Sequence, residues 1–490
     1  MADTAPFALV VLITAIVALA AVLSSHLTAK IRIPSPALFL VAASIAVKAF
    51  PSLGPPSGLT VERIVTVALL FILFDGGMNI GWSRFRSAAV PIAVVGVIGT
   101  FLTVAATAVL AHFAFDLDWY LSVLVATAVA PTDPAVVFSV LGRREVAGRS
   151  GTILEGEAGA NDPVGIALMT ALIAGGSLGW NATAHVGAQF VLQMGIGLAA
   201  GIVGGRAALW FMRRVPLPSE ALYPLRTAAW VLLVFGATTL VHGSGFLAVF
   251  VAGIVLGDER APYKAEIGRF HSALASLGEI VAFVVLGLSV DIAEIGRADV
   301  WAPGLIIGAT LALVVRPLLV GLCLIPARLQ SKERNFVLFA GLKGAVPILL
   351  GSFLLTAHVP GAARLYAIVV VVVVFSVIVQ GSLVPTVARV LRVGMRAVEP
   401  EPWGVGVRVR DEPSGVHRFL VAAGSPADGS TVENLPAFPI DAWVSLVVRD
   451  GRLVPVRSET TLRAGDEVLV LADDDQRATL ASTFERHPAS

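Results

Sequence analysis

Long apolar runs fill the chain as far as about residue 392. A membrane-spanning helix needs about 20 mostly apolar residues. Runs of that kind lie near 7–27, 34–50, 61–80, 88–113, 119–141, 150–176, 186–211, 222–241, 244–257, 273–290, 301–325, 335–357 and 363–391. The pattern therefore predicts 13 transmembrane helices, the ninth of them short. The first run does not read as a secretory leader, because Asp3 precedes it and no Lys or Arg does. Beyond residue 392 the long runs stop. Alternating stretches replace them, such as Trp443 to Arg449, and Asp450-Gly451 between two of these is a hairpin signal. Gly465-Asp466 precedes a run that reads as a buried strand, and residues 474–484 read as a closing helix.

The fold class predicted is an α-helical polytopic membrane protein followed by a small α+β domain. The expected boundaries are 1–395 for the transmembrane domain, 396–415 for a linker and 416–485 for the small domain. Composition agrees: of 490 residues, 56% are hydrophobic and 14% charged, against about 25% charged in an average soluble domain. Mean hydropathy is +0.85. The single Cys323 excludes an intrachain disulfide and a cysteine-based metal site. A net charge of +1 gives no basic excess for nucleic acid. That total conceals +6 on residues 1–392 and −5 on residues 393–490.

Lys and Arg in short loops set orientation. Alternate loops carry Lys30 and Arg32, Arg84 and Arg86, Arg143, Arg144 and Arg149, Arg213 and Arg214, Arg260, Lys264 and Arg269, and Arg328, Lys332 and Arg334. The other set holds only Lys48, Arg63, Arg297 and Arg364. The first set is read as cytoplasmic. With 13 spans, the N-terminus then lies outside and the C-terminal domain in the cytoplasm.

Ionisable residues inside spans are costly and are functional candidates by default. They are Asp75, Asp133, Glu155, Glu157, Asp162, Arg226, Glu279, Arg316 and Lys343. Glu157 and Asn161 fall one turn apart on one helix face, and Glu155 and Asp162 share another. The fifth span contains Ala130-Pro131-Thr132-Asp133-Pro134, and the twelfth Gly341-Leu342-Lys343-Gly344-Ala345-Val346-Pro347. Both predict interrupted helices, and interruptions in two halves of a chain point to a transporter's binding site. At such breaks Asp133 would neutralise helix N-termini and Lys343 helix C-termini. Arg316, deep in its span, needs a carboxylate; Glu157 is the preferred partner and Glu155 the alternative. Arg226 and Glu279 read as structural or interfacial, and His112, His242 and His358 as surface residues near outer ends. Gly195, Gly197, Gly201, Gly204 and Gly205 read as close helix packing.

These segments, with Phe71 to Gly77, Glu157 to Pro163 and Arg316-Pro317, resemble bacterial cation:proton antiporters of the sodium/proton-exchanger-like branch that contains electroneutral members. The resemblance covers roughly residues 5–392. It implies inverted repeats with two broken, crossing helices. It implies that Asp162 alternately binds proton and cation, that Asn161 stands where electrogenic relatives carry a second Asp, and that Thr132 contributes to the cation site beside Asp133. Glu157 and Arg316 match a buried ion pair, and Lys343 a charge at the crossing. Asp75 stands where Glu is usual and Lys343 where Arg is common. Asp75 and Glu155 are accessory candidates. Ala158 replaces a hydroxyl that some relatives offer the cation.

Residues near 417–472 resemble the C-terminal regulatory domain of potassium-uptake and potassium-channel regulators, through Gly424-Ser425-Pro426, Trp443 to Gly451 and Leu462 to Leu471. In relatives that domain dimerises and can bind a small ligand, sometimes cyclic di-AMP; a passive dimerisation module is the other reading. Together these features lead to the expectation of an antiporter of potassium, with sodium close behind, against protons. It would be electroneutral and a homodimer in a bacterial inner membrane, with no resident cofactor and no metal beyond the transported ion. A channel is disfavoured because no TVGYG-like filter loop occurs. An enzyme is disfavoured because no HExxH or GxSxG set is present.

Overall fold

The computed structural model describes residues 34–49, 56–141, 144–146, 149–177, 179–259, 261–290, 292–397, 415–439, 442–449, 452–472 and 476–485. The run near 7–27, most of the 396–415 stretch and Asp450-Gly451 lie outside the described residues. The chain divides into two compact units, residues 1–399 and 400–490.

The first unit is helical. Among the described residues, six helices are long and apolar enough to cross a membrane: Gly58–Phe115, Trp119–Leu141, Ala182–Arg214, Lys264–Leu288, Ala298–Cys323 and Ala362–Val390. Shorter apolar helices are Ser35–Lys48, Gly245–Gly257 and Ala345–Thr356. The helix Arg149–Gly175 has the length of a span but carries Glu155, Glu157 and Asp162, so hydropathy alone passes over it. Polar side chains start several helices. Ser57 accepts from Thr60 N at 3.2 Å, Asp118 from Tyr120 N at 2.8 Å, and Ser244 from Leu247 N at 3.3 Å.

The 58-residue run Gly58–Phe115 covers two predicted spans. At 1.5 Å per residue it would reach about 87 Å, almost three times a bilayer's hydrocarbon core. It does not run straight, because Gly81 leaves helical geometry at φ 64° and ψ 168°. A side chain would be strained there. Three π-helical stretches were not foreseen from sequence: Val94–Gly99, Leu311–Val320 and Phe375–Gln380. The second contains Arg316 and Pro317 and the third Ser376 and Gln380. Such turns concentrate at functional sites.

Small residues let helices approach closely. A Cβ on Gly201 would stand 2.7 Å from the Ala248 carbonyl oxygen, and one on Gly197 would stand 2.6 Å from that of Ser244. Gly204 and Gly205 face Val234 and Val255. Gly195, expected to belong to this set, has open space around it. A short antiparallel pair, β1 (Arg144–Val146) and β2 (Met395–Ala397), ties the loop after the fifth predicted span to the end of the last.

The second unit is a four-stranded antiparallel sheet in the order β3-β6-β4-β5, from Gly415–Leu420, Glu467–Ala472, Trp443–Arg449 and Arg452–Val454. The helix Arg477–Phe484 packs Leu480 and Phe484 into its core, with Phe484 stacked on Phe419 at 5.2 Å. Arg449 pairs with Arg452 across β4 and β5, the register expected of a two-residue connection.

Candidate ion-binding site

Two helices are broken at the level of the candidate residues. The helix Trp119–Val129 ends, residues 130–133 are non-helical, and Pro134–Leu141 begins. Likewise Ser331–Phe339 ends, residues 340–344 are non-helical, and Ala345–Thr356 begins. Proline explains the first break, since Pro131 and Pro134 lack the donors that a continuous helix would use. The two breaks touch: Asp133 N donates to Leu342 O at 2.8 Å.

Each break exposes helix ends of both signs, and one side chain from each answers them. Lys343 Nζ donates to Ala130 O at 2.7 Å and to Pro131 O at 3.1 Å, at the carbonyl end of Trp119–Val129. The Asp133 carboxylate accepts from Ala135 N at 2.9 Å, and from the amides of Val136 and Ala345. It therefore sits at the amide ends of both second half-helices. This is the arrangement that the dipoles of half-helices favour. Gly344 packs directly on the Asp133 carboxylate, so any side chain there would collide with it.

The helix Arg149–Gly175 runs beside both breaks and presents Glu157, Asn161 and Asp162, all buried. Asn161 Nδ2 donates to Thr132 Oγ1 at 2.7 Å, and Thr132 N donates to Asn161 Oδ1 at 3.3 Å. Asp162 lies next to them in sequence, and its charge interacts with those of Asp133 and Lys343. Asp162 Oδ1 is buried and has no hydrogen-bond partner among the described residues. A carboxylate oxygen in that position calls for a proton or a cation.

Glu157 is the partner of Arg316, and Glu155 is not in the pair. Arg316 Nη1 lies 2.8 Å from Glu157 Oε1, and Nη2 lies 3.3 Å from Oε2. Both side chains are 3% exposed, so the pair is fully desolvated. Arg316 also donates from Nε to Leu338 O at 3.0 Å and from Nη2 to Val337 O at 3.4 Å. It thus joins the Asp162 helix to the carbonyl end of the second broken helix. The guanidinium fills the space over Gly341, where a Cβ has no room.

Sequence reading missed a further support. Ser376 Oγ accepts from Lys343 N at 2.9 Å and donates to Gln380 Oε1 at 3.0 Å, while Gln380 Nε2 donates to Phe339 O at 2.7 Å. These two residues, one turn apart, hold both ends of the second break. The signal was present: Ser376 and Gln380 interrupt an otherwise apolar run over 367–381. Asp75 lies apart from the crossing, bonded to Asn79 and Ser272. Arg226 donates to Val215 O at 2.7 Å and lies over the Tyr223 ring, a packing role.

Residues 12–390 match the transmembrane sodium/hydrogen exchanger family. The chain belongs to that family. Residues 416–485 of this exchanger match the TrkA-C domain. The exchanger is 31% identical over 493 residues to a K(+)/H(+) antiporter NhaP2 of Shewanella sp. (strain MR-4), covering 97% of this chain and 83% of the relative. It is 32% identical to a K(+)/H(+) antiporter NhaP of Alkalimonas amylolytica, over 94% of this chain and 81% of the relative. A Na(+)/H(+) antiporter NhaH of Halobacillus dabanensis is 28% identical over 65% of this chain and 80% of its own. Among solved structures, the sodium proton antiporter MjNhaP1 of Methanocaldococcus jannaschii has the same fold in its helical part, with a TM-score of 0.65 at 21% identity. That match covers 78% of this chain and 99% of the other. The exchanger is thus a helical polytopic membrane protein with a small C-terminal sheet domain.

Proposed function

We propose that the protein exchanges a monovalent cation for a proton by alternating access, with Asp162 as the group that carries either one. The observation that carries this reading is the buried Asp162 oxygen without a donor among the described residues, set beside the crossing of two broken helices. Thr132 and Asn161 shape the cation site beside it, and Asp133 and Lys343 balance the helix ends. The protein supplies positioning and charge; no bond is made or broken in the polypeptide.

Asp162 bearing a proton and Asp162 bearing one monovalent cation have the same charge. Exchange is therefore one for one and electroneutral. The cation is potassium before sodium: the relatives that match along 94–97% of the chain are named as K(+)/H(+) antiporters, whereas the one named for sodium matches over 65%. The protein works as a homodimer in the bacterial inner membrane, with its C-terminal domain in the cytoplasm. That domain regulates exchange, with cyclic di-AMP as the ligand to try first.

The test is a pH-dye assay in liposomes, with potassium and sodium compared, using the full chain and one shortened at residue 395. Potassium-driven proton movement that is lost in Asp162→Asn supports the reading. Wild-type exchange in a folded Asp162→Asn protein, or dependence of steady exchange on imposed voltage, overturns it. Unchanged exchange after removal of residues 396–490, with and without cyclic di-AMP, would leave the tail a passive module.

A further inference from the structure

Gly381–Val390, the closing part of the span Ala362–Val390, packs against Pro134–Leu141, the second half of the first broken helix. Beside that contact lies a cavity of about 360 Å³. Val140 and Leu141 line one wall, and Ala388, Arg389, Arg392 and Val393 line the other. No Asp or Glu is among the lining residues. Arg389 and Arg392 are exposed, and neither side chain has a hydrogen-bond or ion-pair partner among the described residues.

The chain leaves this helix through a turn that suits glycine. Val393 N donates to Ala388 O at 3.1 Å and Arg392 N to Arg389 O at 3.2 Å, with Arg392 itself at φ 52°. Glycine or asparagine is the ordinary occupant of a left-handed position after a helix. The turn does not ask for arginine, so what Arg392 supplies there is its side chain. Away from the cavity the same helix turns Val390 and Leu383 outward, 74% and 46% exposed. In the proposed topology this is the cytoplasmic end of the span. The two guanidinium groups thus stand at the level of lipid headgroups, beside an apolar wall.

Each wall leads to one of the two breaks. Pro134–Leu141 starts directly after Asp133, whose carboxylate accepts from Ala135 N at 2.9 Å, and its eight residues span about 12 Å. The last span carries Gln380, nine residues before Arg389. Gln380 donates to Phe339 O at 2.7 Å and accepts from the Ser376 hydroxyl that supports Lys343 N. We propose that the cavity binds the phosphate ester of an anionic phospholipid, with Arg389 and Arg392 on the phosphate and the acyl chains against the apolar wall. Arginine's planar fork matches phosphate oxygens in pairs, and basic pockets between spans on the cytoplasmic side take such headgroups. The bound lipid ties the two walls together, holds both breaks in register and so speeds exchange. Its effect on rate rests on the exchange reading; the binding site does not.

The experiment assays the full-length protein in vesicles of phosphatidylcholine alone, with phosphatidylglycerol added, and with oleate added to the same surface charge. Phosphatidylglycerol should raise the maximal rate of potassium-driven exchange by roughly fivefold, an ordinary coupling between two sites, and oleate should not. Native mass spectrometry of the purified protein should show retained phosphatidylglycerol. The double variant Arg389→Gln, Arg392→Gln should lose both the stimulation and the retained lipid. Undiminished retention or stimulation in that variant overturns the proposal, as does equal stimulation by oleate. Stimulation of phosphatidylcholine vesicles by soluble glycerol phosphate overturns the lipid as the source of the phosphate. Should the double variant fail to fold, Arg392→Gly gives the second measurement. It relaxes the left-handed turn, so the unfolding temperature should hold or rise while retained lipid falls; full retention overturns the proposal. Retained lipid without exchange by the unmutated protein in any vesicle would instead overturn the exchange reading and leave the site standing, so the two failures are distinguishable.

Discussion

Asn161 and Thr132 satisfy one another twice: the Asn161 amide donates to the Thr132 hydroxyl at 2.7 Å, and its oxygen accepts from the Thr132 N–H at 3.3 Å. In Asn161→Asp the shape is kept, and the Thr132 hydroxyl, which can donate as well as accept, can turn to the new carboxylate. The variant instead adds a second buried carboxylate next to Asp162, and an unpaired buried charge is costly. Asn161→Asp should therefore lower the unfolding temperature, and the exchange that remains should respond to imposed membrane voltage. Flux measured at set potentials checks this; voltage-independent exchange in a folded variant would show that the extra carboxylate does not enter the transported charge.

Glu157 and Arg316 form a bidentate pair out of contact with solvent. Removing one partner strands the other, which typically costs about 3–5 kcal/mol. Arg316→Gln should be worse than Glu157→Gln, because Arg316 also holds the carbonyls of Val337 and Leu338. Thermal unfolding of both single variants and the double variant measures the coupling. Strict additivity would mean that the pair contributes nothing as a pair.

The Ser376–Gln380 link predicts a different signature. Gln380→Leu leaves Phe339 O without its donor and frees the Ser376 hydroxyl that supports Lys343 N. Maximal exchange rate should fall by roughly tenfold, and Gln380→Glu should not restore it, because a carboxylate cannot donate to Phe339 O. Rates of the two variants in liposomes decide the matter. Full activity in Gln380→Leu would reduce the link to packing.

How much of this was legible in the sequence follows from the range of the forces involved. Both breaks are local events written in Pro131, Pro134, Gly341 and Gly344, so they could be placed to within a few residues. The opposite charges of Asp133 and Lys343 at those breaks follow from the helix dipole alone. The Glu157–Arg316 pair spans 159 positions, yet a buried arginine has few carboxylates to choose from, which narrowed the choice to two. The positions of Ser376 and Gln380 depend on which distant helices pack together, and no local pattern encodes that. Gly195 was misread for the same reason: spacing shows which residues share a face, not what the face meets. The three π-helical stretches shift register by one residue, an effect below the resolution of an apolar run.

The C-terminal sheet offers a test by pH. Asp466 is almost fully buried and accepts from Arg449 Nε at 2.8 Å, from Arg449 Nη2 at 2.7 Å and from Arg463 N at 2.8 Å. Burial alone would raise its carboxyl, but these bonds and the two arginine charges outweigh burial and hold it below the usual aspartate range. A carboxyl whose value is depressed by folding contributes stability at pH above its unfolded value, near 4, and loses that contribution as pH falls through the lower folded value. Exchange of the backbone amides of Glu467–Ala472, compared by mass spectrometry across that window after allowance for intrinsic rates, should show protection that declines as the solution is acidified. Asp466→Asn removes the titrating group and should flatten the decline while lowering protection at neutral pH. Equal pH dependence in both proteins would mean that the Asp466–Arg449 pair does not set the acid limit of this domain.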